Sequence, residues 1–255
     1  DIGVAIGSGT DVAKESANLV LTNDSFKIIF EAIKEGRVIL DNLRKIVAYL
    51  LSTGFSEIII IAGAMAFALP LPILPTQILW VNIVGEGFMN FALAFEPAES
   101  DILKRSPKNH SSKKIINSEM LAIIFGVGLI TSTFLFAMFY FLLKRGLPIE
   151  EIRTIMLVGA SLDSIFFAFS FKSLRKSLWR MDFFNNSYFL LALFASVSLL
   201  LSAVYFPPLA KLLHAVPLTL FDITILTLIA FFNLAAIETA KLLFMRYAKS
   251  NNIEL

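Results

Sequence analysis

The chain has 255 residues, 57% of them hydrophobic and only 16% charged, with a formal net charge of +2 and a mean hydropathy of +0.76. Soluble domains carry about 45–50% apolar and about 25% charged residues, so the composition excludes an ordinary globular domain and points to an integral membrane protein. The small net charge gives no basis for nucleic-acid binding, and the absence of cysteine excludes disulfides and thiolate metal sites.

The opening run DIGVAIGSGTDVAKESANLVL has no charged segment followed by an apolar one and is not a signal peptide. Beginning without Met inside a strand-like run, the chain reads as a piece of a longer protein. Residues 1–41 are soluble in character: a short buried strand over 2–6, a turn at GSGTD, a helix over 12–18 and a second strand over 19–21. Gly7 and Gly9 could open a dinucleotide fingerprint, but Val12 occupies the third glycine position, which leaves a tight strand-to-helix turn. Asn23, Asp24 and Ser25 are N-cap candidates for an amphipathic helix carrying Phe26, Ile29, Ile33 and Val38. This α/β material is too small to bury a core of its own.

After Arg44 and Lys45 the pattern becomes that of membrane spans, each needing about 20 predominantly apolar residues. Six are expected, over 46–69, 76–95, 120–143, 154–171, 188–205 and 220–243. The loop after the second carries Lys104, Arg105, Lys108, Lys113 and Lys114, and the loop after the fourth carries Lys172, Arg175, Lys176 and Arg180. LPLPILP, between the first two, has no charge, and the third-to-fourth loop is mixed. By the positive-inside rule the soluble segment, both termini and the tail 248–255 are expected in the cytoplasm. No internal repeat is evident, which counts against an inverted-repeat carrier. His110 and His214 fall outside the apolar runs and resemble no zinc-ligand pair.

Three acids fall inside spans: Glu57 in LSTGFSEII, Glu86 in VNIVGEGF and Asp163 in VGASLDSIFF. An ionisable group at a helix centre costs roughly 2.5–3.5 kcal/mol on insertion scales and usually faces a bundle interior or a water-filled path. No Lys or Arg lies at comparable depth, so the partner is expected to be a cation, a proton or another acid sharing a proton. Asn82 and Glu86 are four apart and would share a face of a regular helix. Gly85 and Gly87 should weaken that helix and let backbone approach, and carbonyls freed at membrane depth can coordinate an ion. Carboxylates, an amide oxygen and carbonyls form a hard ligand set suited to Ca²⁺, Mg²⁺, Mn²⁺ or a proton. Glu57, Asn82 and Glu86 are therefore the cation-site candidates, with Asp163 the weaker one. A lone Asn in a span commonly serves as an interhelical hydrogen-bond donor, and glycine commonly serves close packing. Glu238, three residues before Lys241, reads as half of a structural salt bridge.

Together these stretches resemble the C-terminal part of a type II P-type ATPase, a cation pump of the calcium-transporting branch. DIGVAIGSGTDVAKESANLVL is similar to the end of that family's phosphorylation domain, which has a haloacid-dehalogenase-like fold. EGRVILDNLRKIVAYLLS resembles the helix entering the fifth transmembrane segment, and LWVNIVGEGFMNFALAFEP followed by DILKRSPKN resembles the sixth segment and its cytoplasmic loop. The resemblance implies a mostly α, polytopic membrane protein. Residues 1–41 would be a short α/β remnant of the phosphorylation domain with the helix leading into the membrane, 42–247 six transmembrane helices, and 248–255 a tail. It implies an ATP-driven pump with Ca²⁺ as the leading cargo, using Mg²⁺ and ATP bound by domains absent from these 255 residues. The expected partners are the bilayer, the transported cation and the N-terminal part of the same pump, in a prokaryotic plasma membrane.

By position, Glu57 matches the family's fifth-segment acid, and Asn82 and Glu86 match the Asn and Asp of the sixth. Glu86 stands where Asp is usual, Gly54 where two-site members carry Asn, and AFSFKSLRKS offers Ser170 and Lys172 where an acid is carried in the eighth segment. These departures bear on a second calcium site and on ion identity. The Asp-Lys-Thr-Gly-Thr phosphorylation motif is absent, so the 255 residues alone are not expected to hydrolyse ATP. The competing reading is a stand-alone six-span channel, carrier or accessory subunit.

Overall fold

The computed structural model describes residues 2–22, 25–104, 115–116, 118–174, 176, 181–182 and 184–250. The N-cap candidates Asn23 and Asp24, the loop cations Arg105, Lys108, Lys113, Lys114, Arg175 and Arg180, His110 and residues 251–255 lie outside it. Packing divides the chain into two units. One comprises Asp1–Asp41 with Ala98–Ser111, and the other Asn42–Pro97 with Ser112–Leu255. The segment Ala98–Ser111, assigned by sequence to the membrane domain, thus groups with the first unit.

In the first unit, strand β1 (Val4–Ile6) and strand β2 (Leu19–Leu21) pair in parallel, Val4 opposite Leu19 and Ile6 opposite Leu21. Helix α1 (Asp11–Ser16) makes the crossover, and the Thr10 side chain caps it by accepting from the Ala13 N–H. The Gly9 N–H donates to the Ile6 carbonyl at 3.0 Å, and a Cβ at Gly9 would meet that same oxygen at 3.0 Å. GSGTD is therefore a tight turn that excludes a side chain at Gly9. The expected buried strand over 2–6 is shorter, and only Ala5 of it is buried; Val4 and Ile6 are 45% and 41% exposed. Parallel strands need cover on both faces, and two strands with one short helix do not supply it.

Helix α2 (Lys27–Ala66) is a single 40-residue helix, about 60 Å long at 1.5 Å per residue. The amphipathic helix and first span expected separately are one element, because no proline interrupts the run. It ends where Ala68 takes a left-handed conformation, φ 52°, and the Leu69 N–H reaches back to the Ala64 carbonyl. Pro70 follows and cannot continue a helix.

The predicted second span, 76–95, is composite. Helix α3 (Pro75–Trp80) passes into a π-helical segment, Val81–Glu86, and then into helix α4 (Gly87–Ala94). Helices α5 (Ser118–Lys144), α6 (Ile149–Phe171), α7 (Ser187–Tyr205), α8 (Pro207–Leu213) and α9 (Leu220–Ser250) follow. Among the described residues, five helical stretches are long and apolar enough to cross a bilayer: Lys27–Ala66, Ile124–Lys144, Ile149–Phe171, Ser187–Tyr205 and Leu220–Leu243. Helix α6 is the centre of the second unit, with 72% of its most apolar window buried against 28–35% in the other four. Helix α9 packs on α6 and α5, and α4 on α7. Contacts between helices in lipid depend on close van der Waals fit rather than on a hydrophobic drive. Gly128 shows this: a Cβ there would lie 3.0 Å from the Phe55 ring and 3.3 Å from the Ser52 carbonyl. Ile58, Leu79, Phe91, Phe194 and Leu228 cover the outside of the unit, each 60–73% exposed, as a lipid-facing surface requires.

A candidate cation cavity between three helices

Serine and threonine recur on one stripe of α2, at Ser52, Thr53 and Ser56, next to Glu57. The stripe faces the interior, with the three hydroxyl residues buried. Across from it, the π segment carries Glu86 and α6 carries Asp163 and Ser164. Thr53, Ser56, Glu57, Glu86, Asp163 and Ser164 supply the polar lining of one cavity, walled by Ile60, Leu135 and Phe167 among others. The space open to a water-sized particle is about 20 Å³, room for one water or one ion.

Glu86 and Asp163 are 5% and 4% exposed, and Glu57 is half-buried. Among the described residues no lysine or arginine pairs with any of the three; the ion pairs found in this unit, Lys172–Glu96 and Lys241–Glu238, lie elsewhere. Thr53 stands beside the Glu86 carboxylate. The Tyr49 and Ser164 hydroxyls share a hydrogen bond of 2.5 Å, and both Asp163 oxygens accept from the Asn233 amide. Among the described residues no three His, Cys, Asp or Glu side chains converge closely enough to hold a metal unaided. Hydroxyls, carbonyls or other groups would have to complete any ligand set that these carboxylates begin.

The structure brings Glu57, Glu86 and Asp163 to one cavity and leaves Asn82 outside its lining. Asn82 is exposed, and its Nδ2 reaches the Glu57 Oε2 at 3.5 Å, the limit of a hydrogen bond. In the π segment the Gly87 N–H donates to the Asn82 carbonyl, five residues back, which widens the turn while leaving residues four apart close in azimuth; Asn82 is nevertheless exposed and Glu86 buried. The backbone is thus widened rather than unwound. Ser196 donates to the Val84 carbonyl at 3.2 Å, occupying an oxygen in the middle of the π segment. Gly85 and Gly87 do not serve close backbone approach, since a Cβ at either would find only ordinary contacts at 3.7–3.9 Å.

Two further polar groupings lie away from the cavity. Lys172, counted by sequence as a loop cation, is buried against Glu96 at 3.0 Å, and Asn186 donates to the same carboxylate at 2.8 Å. Glu238 and Lys241 form the expected i,i+3 pair at 3.2 Å. Ser170 joins them, its hydroxyl donating to Glu238 and its carbonyl accepting from Lys241. Ser170 and Lys172 are therefore engaged in these pairs and do not line the cavity. Sequence reasoning passed over Ser164, Ser196 and Asn233. Asn233 was detectable by the test that found Asn82, an amide isolated in an apolar run.

Among the described residues, five long apolar helices, with acids and hydroxyls turned onto a small interior cavity, define an integral membrane protein of the polytopic helical class. Residues 70–243 match the family described as cation transporting ATPase, C-terminus, and the chain belongs to that family. It is 36% identical over 221 residues to a calcium-transporting ATPase of Bacillus subtilis (strain 168), covering 86% of this chain and 25% of that protein. It is 35% identical over 223 residues to a probable cation-transporting ATPase F of Mycobacterium bovis, covering 86% and 24%. A calcium-transporting ATPase type 2C member 2 of Mus musculus is 32% identical over 228 residues, covering 89% and 24%. The chain thus spans about a quarter of the length of these relatives.

Proposed function

We propose that these 255 residues are the C-terminal membrane part of an ATP-driven cation pump, with Ca²⁺ the leading transported ion. The observation that carries this reading is the cavity itself: three acids from α2, the π segment and α6, with no basic partner among the described residues. Buried carboxylates without a counter-charge are costly, and a transported cation supplies the missing charge. Family membership supports the pump class, and the names of the Bacillus subtilis and mouse relatives support Ca²⁺.

In this reading Glu57, Glu86 and Asp163 face the ion, the Thr53 and Ser56 hydroxyls add neutral oxygens, and Asn82 acts at the rim through Glu57. Oxygen-only donors suit a hard cation. The composite segment Pro75–Ala94 counts as the second of six spans. Residues 1–41 are the end of a haloacid-dehalogenase-like phosphorylation domain, and 42–247 and 248–255 are membrane domain and tail. Mg²⁺ and ATP bind the part of the pump outside this chain. Both termini are cytoplasmic. The absence of cysteine is the support for a prokaryotic plasma membrane. Movement of α2 during the pump cycle would displace Glu57 relative to Glu86 and Asp163 and so change the ion's coordination.

The test is Glu57→Gln and Glu86→Gln in the full-length protein. Each should abolish cation-dependent phosphorylation from ATP while the protein still reaches the membrane. Wild-type cation dependence in both variants would remove them as ligands.

A further inference from the structure

Asn233 lies in the apolar run LIAFFNLAAI of α9 and is fully buried. Its Nδ2 donates to Asp163 Oδ1 at 2.8 Å and to Oδ2 at 3.0 Å. Its own Oδ1 is buried and, among the described residues, meets no donor. Leaving a buried amide oxygen unsatisfied is unfavourable, so packing alone would select an apolar residue here. What this side chain contributes is its NH₂ group.

The near-equal distances set the amide nitrogen between the two carboxylate oxygens. A cation chelated by both oxygens of one carboxylate would occupy that same position. Asp163 lines the cavity, whereas α9 contributes nothing to the lining. One carboxylate is therefore held from α9 while it faces the cavity from α6. Ca²⁺ takes six to eight oxygens and accepts two-oxygen chelation, whereas smaller divalent cations demand near-octahedral sites built from single oxygens.

Resting on the cavity reading above, we infer that Asn233 is a positioning residue that sets ion preference, by occupying the chelating side of Asp163 and leaving it one oxygen to offer. The amide then weighs against cations that gain from a two-oxygen grip and is neutral toward small octahedral ones. Removing it frees the chelating side.

The experiment uses the purified full-length pump carrying Asn233→Leu, alone and with Asp163→Asn. Half-saturation for Ca²⁺ and for Mn²⁺ is read from the cation-dependent rise in unfolding temperature, which needs no turnover, and maximal ATPase rate is measured alongside. Asn233→Leu should move preference toward Ca²⁺ by about fivefold or more; with Asp163→Asn present it should add less than about twofold, since the effect runs through that carboxylate. Where Asn233→Leu does not reach the membrane, Asn233→Ser, too short to span both oxygens, is read in the same way. An unchanged preference, a move toward Mn²⁺, or an equal shift without the Asp163 carboxylate overturns the inference. If Glu57→Gln and Glu86→Gln lose cation dependence while the Asn233 variants keep wild-type preference, this inference falls alone. If every variant behaves as wild type, the cavity reading falls with it.

Discussion

Glu86 is the acid whose length matters most, because it reaches the cavity from a backbone that is itself widened. The resemblance places Asp at this position in calcium pumps, so this chain has one more methylene between backbone and charge. Glu86→Asp draws the carboxylate back toward the π segment and away from the lining that it shares with Glu57 and Asp163. Changes behind a metal ligand already cost roughly 10–100-fold in affinity, so on the function proposed above this one should raise the Ca²⁺ concentration for half-maximal ATPase activity at least tenfold. Titration of the full-length pump with Ca²⁺ checks it, and an unchanged midpoint would mean that Glu86 does not contact the ion. The acids were legible from sequence because an ionised group in an apolar run has few structural explanations. Asn82 is exposed while Glu86, four residues on, is buried; which of the two turns inward depends on the neighbouring helices, and spacing does not reveal it.

Among the elements, the π segment Val81–Glu86 decides which side chains of the second predicted span face inward. A π turn carries one residue more than the α turn that it replaces. Deleting Ile83, which is 61% exposed and makes no core contact, should let the segment relax to α. Because the extra residue is the one removed, α3 and α4 keep their register and only the turn carrying Asn82 and Glu86 narrows. The variant should insert into membranes and lose cation-dependent phosphorylation; retained cation dependence would show that the widened turn is incidental. The far end of the same span is held differently. Asn42 of α2 donates to the Ala94 and Glu96 carbonyls at 3.1 and 2.8 Å, and Lys172, at the end of α6, pairs with the Glu96 carboxylate. Lys172→Met leaves Glu96 buried without its counter-charge and should destabilise the protein by about 3–5 kcal/mol. Adding Glu96→Gln should restore most of that loss. Thermal unfolding in detergent compares the two, and equal stability of all three proteins would assign the pair no structural role.

For the whole molecule, topology is the open quantity that one set of variants can address. These 255 residues have no cysteine, so a thiol introduced into them is the only labelling site within this segment, and the protein without it gives the background. Cysteine at Leu71, in the uncharged LPLPILP turn, should react with an impermeant maleimide added outside intact cells. Cysteine at Ser100, beyond the composite span, should react only after the membrane is opened. The reverse pattern would invert the orientation argued from Lys and Arg, and labelling of both from outside would deny Pro75–Ala94 the status of a span. Five of the six expected spans correspond to long apolar helices among the described residues, because bilayer thickness imposes a length that hydropathy registers. The division of the chain was less so: Ala98–Ser111 lies far in sequence from residues 1–41 and joins them only through folding, as in the Arg37 Nη1 bond to the Ile102 carbonyl at 2.8 Å.

Sequence by itself determined the membrane class, the positions of the acids and the family, because each follows from composition or from local order of residue types. It also sufficed for the Glu238–Lys241 pair, which helical spacing alone brings into register. Tertiary structure decided which acids meet. Glu57, Glu86 and Asp163 stand on three helical segments whose convergence depends on how α2, the π segment and α6 pack. The assignment of Asn233 to Asp163, 70 residues away, is decided by the packing of α9 on α6. The side of a helix that faces a neighbour depends on the neighbour, and no local pattern in either strand of sequence records it.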